Sequence, residues 1–427
     1  MIMKNIELSL NFLYLPLAFC ILSMYSCKKE SSGNPNNDPT TTSLKITSFA
    51  PLGGEVADSV TILGVGFSKT ASSNKVAFNG TQATVITATD TSLRVTVPAG
   101  ASTGKITVTS NNNTGSSDSN FIVGPVVFTL AGGPPLGYQD GTGTTARFSG
   151  VCGLAMDASG NLYVTDANNN RIRKVTPAGV VTTFAGDGST SVMSGPWGVA
   201  IDASGNLYVS DMYNNRILKI TQVGVITTLA GGTAGNKDGQ GTDASFSWPK
   251  GLTVDASGNV FVADCNNHRI RKITPAGLVT TVAGTDISGG FVDGDVSVAR
   301  FNFPSDVAID ASGNLYVTDE FNYRVRKITP AGVVSTFAGA WTYTILNDPL
   351  GITIDASGNL YVADISRQIK KISPTGVVTI IAGSGENGYV DGPASLARFN
   401  NPYDLAVDAS GKVYVTDWSN GAIRVIR

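Results

Sequence analysis

One phrase returns six times along the chain and restricts its fold more than any other feature. Asp-Ala-Ser-Gly-Asn-Leu-Tyr-Val-Thr-Asp begins at Asp157, and variants begin at Asp202, Asp255, Asp310, Asp355 and Asp408, at intervals of 45 to 55 residues. Self-similarity at this period means that each unit is one supersecondary element burying its face against its neighbours. Each unit reads as four short strands. In the second unit these are Gly198-Val199-Ala200-Ile201, Leu207-Tyr208-Val209-Ser210, Arg216-Ile217-Leu218-Lys219-Ile220 and Val225-Ile226-Thr227-Thr228-Leu229, separated by glycine-bearing turns. A four-stranded antiparallel sheet repeated at this period is a propeller blade. The sixth unit reaches only its third strand at Arg427, while Val126-Val127-Phe128-Thr129-Leu130-Ala131-Gly132 matches a fourth strand and precedes the first unit. The expectation is a six-bladed β-propeller over 126–427, closed by strand 126–131, which removes the open edge between first and last blades.

The repeated phrase, the Arg-Ile-Arg-Lys-Ile-like third strand and the Val-Val-Thr-Thr-Phe-Ala-Gly-like fourth strand resemble NHL repeats, across all six units. Two further patterns recur. Asp166 with Arg171, Asp211 with Arg216, Asp264 with Arg269 and Asp319 with Arg324 are spaced to brace a loop within each blade, whereas Gln368 and Ala422 depart from the pattern. Four interblade segments share Asp140-Gly141…Phe148, Asp238-Gly239…Phe246, Asp293-Gly294…Phe301 and Asp391-Gly392…Phe399. Asp-Gly is a turn signal, and the phenylalanine is expected to plug the space between blades.

Before the propeller, residues 44–123 alternate with period two in runs such as Val60-Thr61-Ile62-Leu63, Leu93-Arg94-Val95-Thr96-Val97 and Lys105-Ile106-Thr107-Val108. One wet and one buried face per strand, with Gly and Pro turns, points to a small β-sandwich. Pro51…Gly53-Gly54, Val60 to Phe67, Asn79-Gly80-Thr81 and Val97-Pro98-Ala99-Gly100 resemble an IPT/TIG domain. The resemblance implies an Ig-like spacer or protein-contact module. The whole chain is therefore expected to be all-β, an Ig-like sandwich followed by a six-bladed propeller.

Residues 1–26 combine Lys4 with an apolar run from about Leu8 to Leu22, the layout of a secretory signal. The run closes on Ser26-Cys27-Lys28-Lys29 and resembles a Bacteroidetes-type lipoprotein signal, which implies a lipid on Cys27 and export to the outer membrane, surface or periplasmic side. Met24 and Tyr25 depart from the tight form of that motif, and an uncleaved anchor or a plain secretory signal are the other readings. Residues 27–43, rich in Ser, Asn, Pro and Thr, read as a flexible tether. The membrane is then met through the lipid alone, and the protein is a monomer or part of an outer-membrane complex.

Charge excludes one class of partner. Only 15% of residues are charged and the net charge is −2, so no basic field attracts nucleic acid. A single histidine, His268, removes every multi-histidine zinc site. Four cysteines, Cys20, Cys27, Cys152 and Cys265, fall at unrelated positions and imply neither a disulfide nor a thiolate cage.

Recognition is expected where near-identical blades differ. The Ala-Ser-Gly and Pro-Ala-Gly-like turns lie on one face of the disc and scarcely vary; the other face carries the variable loops. Trp197, Trp248, Trp341 and Trp418 all fall in or beside those loops. Two rings of positions are expected near the channel mouth. One, preceding the first strand, is Cys152, Trp197, Lys250, Ser305, Leu350 and Tyr403; the other, following the second strand, is Ala167, Met212, Cys265, Glu320, Ile365 and Trp418. Trp197, Met212, Trp248, Glu320, Trp341, Tyr403 and Trp418 are therefore the candidate ligand contacts, either platforms for sugar rings or peptide side chains or caps over the core. The leading reading is a module that binds an extracellular glycan or protein without a cofactor. The alternative is a metal-dependent hydrolase, lactonase or lyase. Asp306 and Asp404 replace a glycine found in the other four repeats, and with Glu320 they are the residues that would hold Ca²⁺. No catalytic residue is assigned.

Overall fold

A computed structural model describes residues 43–284, 288–340 and 344–427. The signal segment, Cys27 and the tether up to residue 42 lie outside the described residues, as does Trp341. Among those described, regular structure consists of strands and single 3₁₀ turns.

Residues 45–123 form two facing sheets. Lys45–Ala50, Ser59–Val65, Ser92–Thr96 and Val85–Ala88 make one; Asn113–Val123, Gly104–Ser110 and Asn74–Phe78 are the body of the other. The alternation read from sequence becomes burial: Val60, Ile62 and Gly64 point inward while Ser59, Thr61, Leu63 and Val65 are exposed. Phe78 and Phe121 meet edge-on, 4.9 Å apart, at the centre of the core. This sandwich is tied to the propeller. Arg427 donates to both carboxylate oxygens of Asp58 at 3.1 Å, and the Ala394 amide donates to the Pro125 carbonyl.

Six antiparallel sheets follow, and their innermost strands lie side by side in a closed ring from Val151–Met156 through Pro196–Ile201, Pro249–Val254, Pro304–Ile309, Pro349–Ile354 and Pro402–Val407 back to the first. Val126–Gly132 is the outer strand of the sixth sheet, paired with Ala422–Ile426 as expected. The close packing of inner strands demands glycine. A methyl group on Gly198 would lie 2.5 Å from the Lys250 carbonyl oxygen of the next blade.

Three expectations change. The Asp-Gly segments are more than turns. Gly141–Thr142, Gly239–Gln240, Gly294–Asp295 and Gly392–Pro393 add a short fifth strand to blades one, three, four and six. Each aspartate there reaches a buried arginine: Asp140 to Arg173, Asp238 to Arg271, Asp293 to Arg326 and Asp391 to Arg424, at 2.5–2.6 Å. The phenylalanines do plug the blades, Phe148, Phe246, Phe301 and Phe399 being fully buried.

The intrablade brace also shifts by two residues. Asp166 pairs with Arg173 rather than Arg171, Asp264 with Arg271, Asp319 with Arg326 and Asp417 with Arg424. Only blade two uses the spacing first read, Asp211 to Arg216, because Leu218 stands where the others have the inner arginine. In blade five Lys370 replaces it and meets Asp364 at 2.9 Å. Strand geometry explains the error. Residues two apart share a face, so both arginines point the same way, and the one deeper in the sheet is the one between two carboxylates. Finally, the first predicted ring does not precede the inner strands. Cys152, Trp197 and their equivalents are the second residue within them.

Candidate functional site

Five of the six blades build the loop rim in the same way, and blade five, with a shorter turn after Asp364, departs from it. The second strand ends in aspartate, a 3₁₀ turn follows, and a residue with positive φ sends the chain back: Asn170, Asn215, His268, Tyr323 and Gly421 lie at φ 51–58°. The aspartate holds the loop together. Asp166 Oδ1 accepts from the Ser149 amide and the Asn169 side chain at 2.8 Å, and Asp211–Asn214, Asp264–Asn267, Asp319–Asn322 and Asp417–Asn420 repeat the contact. In the resulting Asp-x-x-Asn loop the side chains of the two middle residues vary between blades, the first turning toward the channel mouth and the second outward.

The first middle residue, which is the second predicted ring, faces the channel mouth. Ala167, Met212 and Cys265 are buried there, Glu320 and Trp418 are half-buried and Ile365 is exposed. The inner-strand ring meets them. Trp197 Nε1 donates to the Tyr403 hydroxyl at 2.7 Å, and the two rings stand edge to face, 5.1 Å between centroids. Lys250 Nζ lies 2.8 Å from Glu320 Oε2, so Glu320 is neutralised at the rim and is not brought together with Asp306 and Asp404. Despite its burial Lys250 keeps its charge against the Glu320 carboxylate. Burial pushes the Cys265 thiol up to about 12 and raises those of Cys152 and Tyr403, so the mouth presents a protonated phenol and thiols, without a thiolate nucleophile.

Beneath this lid the channel narrows to a waist of six equivalent positions: Gly153, Gly198, Gly251, Asp306, Gly351 and Asp404. The residues are matched between blades. Where the second strand carries a hydroxyl, it accepts from the waist amide of its own blade and donates to the carbonyl of the next, as Thr165 does with Gly153 and Trp197, at 2.7 Å each. Ser210, Thr318 and Thr416 repeat this. The following waist residue is then glycine. Blades three and five have Ala263 and Ala363 instead, and the following waist residues are Asp306 and Asp404. Each carboxylate accepts two backbone amides: Asp306 from Val307 and Ile352, Asp404 from Leu405 and Leu154, at 2.7–2.9 Å. Burial raises the pKa of both, and Asp404 raises that of Asp306 further. The only histidine is engaged structurally, its Nδ1 accepting the Phe303 amide at 3.0 Å.

The outer rim is asymmetric. Tyr213 and Phe321, second middle residues of their loops, are 57% and 43% exposed, and Trp248, before the third inner strand, is 46% exposed. Tyr213 stands edge-on to Trp248, and Phe321 contacts Phe303, which stands edge-on to His268. These rings occupy blades two to four. The same positions in blades five, six and one hold Asp348, Ser366, Asn401, Ser419, Gly150 and Asn168. Of the residues singled out from sequence, Trp197 and Tyr403 meet, Trp248 joins the outer arc, Met212 is buried beneath it, and Trp418 sits apart against Gly150 of blade one. Tyr213, Phe303 and Phe321 were not anticipated. The signal was present, since they lie within two residues of the chosen ring positions, but which register faces outward depends on the 3₁₀ turn.

Comparison with known proteins agrees with this architecture. Residues 44–123 match the IPT/TIG domain, and 148–175, 193–220, 246–273, 301–328 and 399–426 match the NHL repeat. The fifth blade, with its shortened loop and Lys370, is not among the matched segments. SUPPRESSOR OF QUENCHING 1 of Arabidopsis thaliana, a chloroplastic protein, is 36% identical over 95 residues, 22% of this chain and 9% of that protein. An auxiliary nutrient binding protein of Bacteroides thetaiotaomicron superposes with a TM-score of 0.58 at 18% identity, covering 90% of this chain and 97% of its own. A streptogramin B lyase superposes at 0.50 with 16% identity, over 71% and 97% of the two chains. The chain thus joins a TIG domain to an NHL-repeat β-propeller.

Proposed function

We propose that this protein is an exported, lipid-anchored binding module whose propeller takes a glycan or protein ligand on its loop rim. The observation that carries the reading is the arc of exposed Tyr213, Trp248 and Phe321 with Phe303 beneath, at loop positions that hold polar residues or glycine in blades five, six and one. Flat aromatic side chains supply contact area at low entropic cost and stack on sugar rings or apolar side chains. The arc flanks the Lys250–Glu320 pair, which has no net charge and offers donors and acceptors together, a match for a neutral polyol. The nutrient-binding superposition is consistent with this role. The sandwich then serves as a spacer, and Cys27 carries the lipid.

The test is titration of the full-length protein with a panel of soluble polysaccharides, read by tryptophan fluorescence. Binding is expected for the wild type and lost in Trp248→Ala and Phe321→Ala with unchanged melting midpoints. Equal binding by both variants defeats the reading. The lyase superposition motivates an enzyme alternative, disfavoured by the protonated thiols and the Trp197–Tyr403 lid; turnover of a lactone panel by the purified protein would restore it. The anchor is tested separately by metabolic labelling with a palmitate analogue, which Cys27→Ala must abolish.

A further inference from the structure

The waist of the channel contains an arrangement that the rim reading does not use. A small cavity of about 10 Å³ lies between the Trp197–Tyr403 lid and the wider channel, and Asp306, Asp404 and Ser305 line it with the waist glycines. That volume accommodates one water-sized particle. Asp306 is 8% exposed and Asp404 half-buried, both lining the channel, and neither has a cationic partner among the described residues; Lys250, the nearby lysine, is committed to Glu320. Two such carboxylates without a counter-charge are costly to ionise together. A second observation is independent of the acids: Ser305 is 2% exposed, yet its Oγ has no hydrogen-bond partner. An orphaned buried hydroxyl beside two carboxylates is explained by something that takes oxygen ligands.

We infer that this cavity binds one Ca²⁺ ion, held by Asp306, Asp404 and Ser305 Oγ. The donors are all hard oxygens, with no imidazole at the waist, which selects Ca²⁺ over the later transition metals. The carboxylates' combined charge of −2 balances a divalent ion, and the wider channel below, of about 260 Å³, supplies water for the remaining positions. Each carboxylate is pre-oriented by two backbone amides from its own and the following blade, so its free lone pairs are fixed before the ion arrives. An ion at this point ties blade four to blade six across the channel. Covered by the lid, it stabilises the ring and does not meet a rim ligand, so this inference stands or falls independently of the binding reading.

The lid gives the experiment its probe, because Trp197 lines the cavity and an indole in contact with Tb³⁺ sensitises its emission. Full-length protein freed of metal with EGTA is titrated with Tb³⁺ and excited through tryptophan, then back-titrated with Ca²⁺; melting midpoints are recorded in EGTA and in excess Ca²⁺. Saturable one-to-one emission displaced by Ca²⁺, and a higher midpoint with Ca²⁺, are expected. Asp306→Asn and Asp404→Asn should each weaken affinity at least about tenfold. Ser305→Ala should weaken it less, and Trp197→Phe should lose emission while keeping the Ca²⁺ shift in midpoint. The last two variants leave the carboxylates intact and guard against misfolding. No emission with a Ca²⁺-independent midpoint overturns the site, as does an unchanged response in the Asp306→Asn, Asp404→Asn double variant. A midpoint that follows pH but ignores Ca²⁺ also overturns it, leaving a shared proton as the occupant.

Discussion

The turn face and the waist of the propeller each carry a set of aspartates, and the two sets have opposite physics. On the turn face, Asp157, Asp202, Asp255, Asp310, Asp355 and Asp408 open the repeated phrase. Asp157 Oδ1 accepts the amides of Ser159 and Asn161 at 2.8–2.9 Å, Oδ2 takes the Asn161 side chain, and the same pattern recurs in blades two to five, while in blade six Lys412 replaces the asparagine and keeps only the amide contacts. Partial burial opposes ionisation of Asp157, but these hydrogen bonds outweigh it and hold its carboxyl below the usual range. At the waist, burial wins, and Asp306 and Asp404 are pushed up. A carboxylate is cheap where an exposed turn surrounds it with amides and water, and costly where the ring shields it and sets a second carboxylate opposite.

The comparison can be broken at several points. The largest effect comes from the frame that both sets depend on. Deleting 126–131 removes the outer strand of blade six and reopens the ring, so a chemical-denaturation curve should lose its single cooperative transition for the propeller; an unchanged midpoint contradicts closure. Next come the buried arginines. Arg326 is fully buried between Asp319 and Asp293, and Arg326→Ala leaves Asp319 buried and unpaired at a cost of about 3–5 kcal/mol. Arg324, matched with Asp319 by sequence spacing but bonded in the structure to the Asn322 carbonyl, offers the control: its replacement by lysine should cost less than half as much in the same denaturation assay.

The third effect is a difference in sign with pH, measured in EGTA. A folded-state pKa above the unfolded value gives stability that is lost as pH rises through the folded value. The waist pair should therefore make the metal-free protein less stable as pH rises from about 4 to about 7. The Asp306→Asn, Asp404→Asn double variant should lack that decline. The turn-face carboxyls of Asp157, Asp202, Asp310, Asp355 and Asp408, held low, give stability that is present above about pH 4 and lost as pH falls below it; Asp202→Asn should blunt only that acid limb. Thermal melts of wild type and both variants from pH 3 to 8 separate the two. The smallest effect on stability belongs to the rim. Trp248→Ala should move the unfolding free energy by no more than about 0.5 kcal/mol, while abolishing glycan quenching.

Sequence periodicity was enough to read the blades, the closing strand and the sandwich, because period-two alternation and a repeat length translate directly into strands that must bury one face. It was enough, too, to mark Asp306 and Asp404 as exceptions, since six copies align themselves and a departure stands out. Other matters were settled by three-dimensional packing alone. The arginine at the start of the third strand and the one two residues later look equivalent in a string, and only depth in the sheet decides which is held between two carboxylates. Ala263 and Ala363 read as unremarkable strand residues until the ring sets each beside the aspartate of the next blade. Tyr213 and Phe321 face solvent while Met212, one residue from Tyr213, does not, because a 3₁₀ turn pinned by Asp and Asn rotates neighbouring side chains to opposite sides of the rim. Local pattern is a property of consecutive residues, whereas these partnerships join positions from different strands and blades, and the chain must close its ring before they exist.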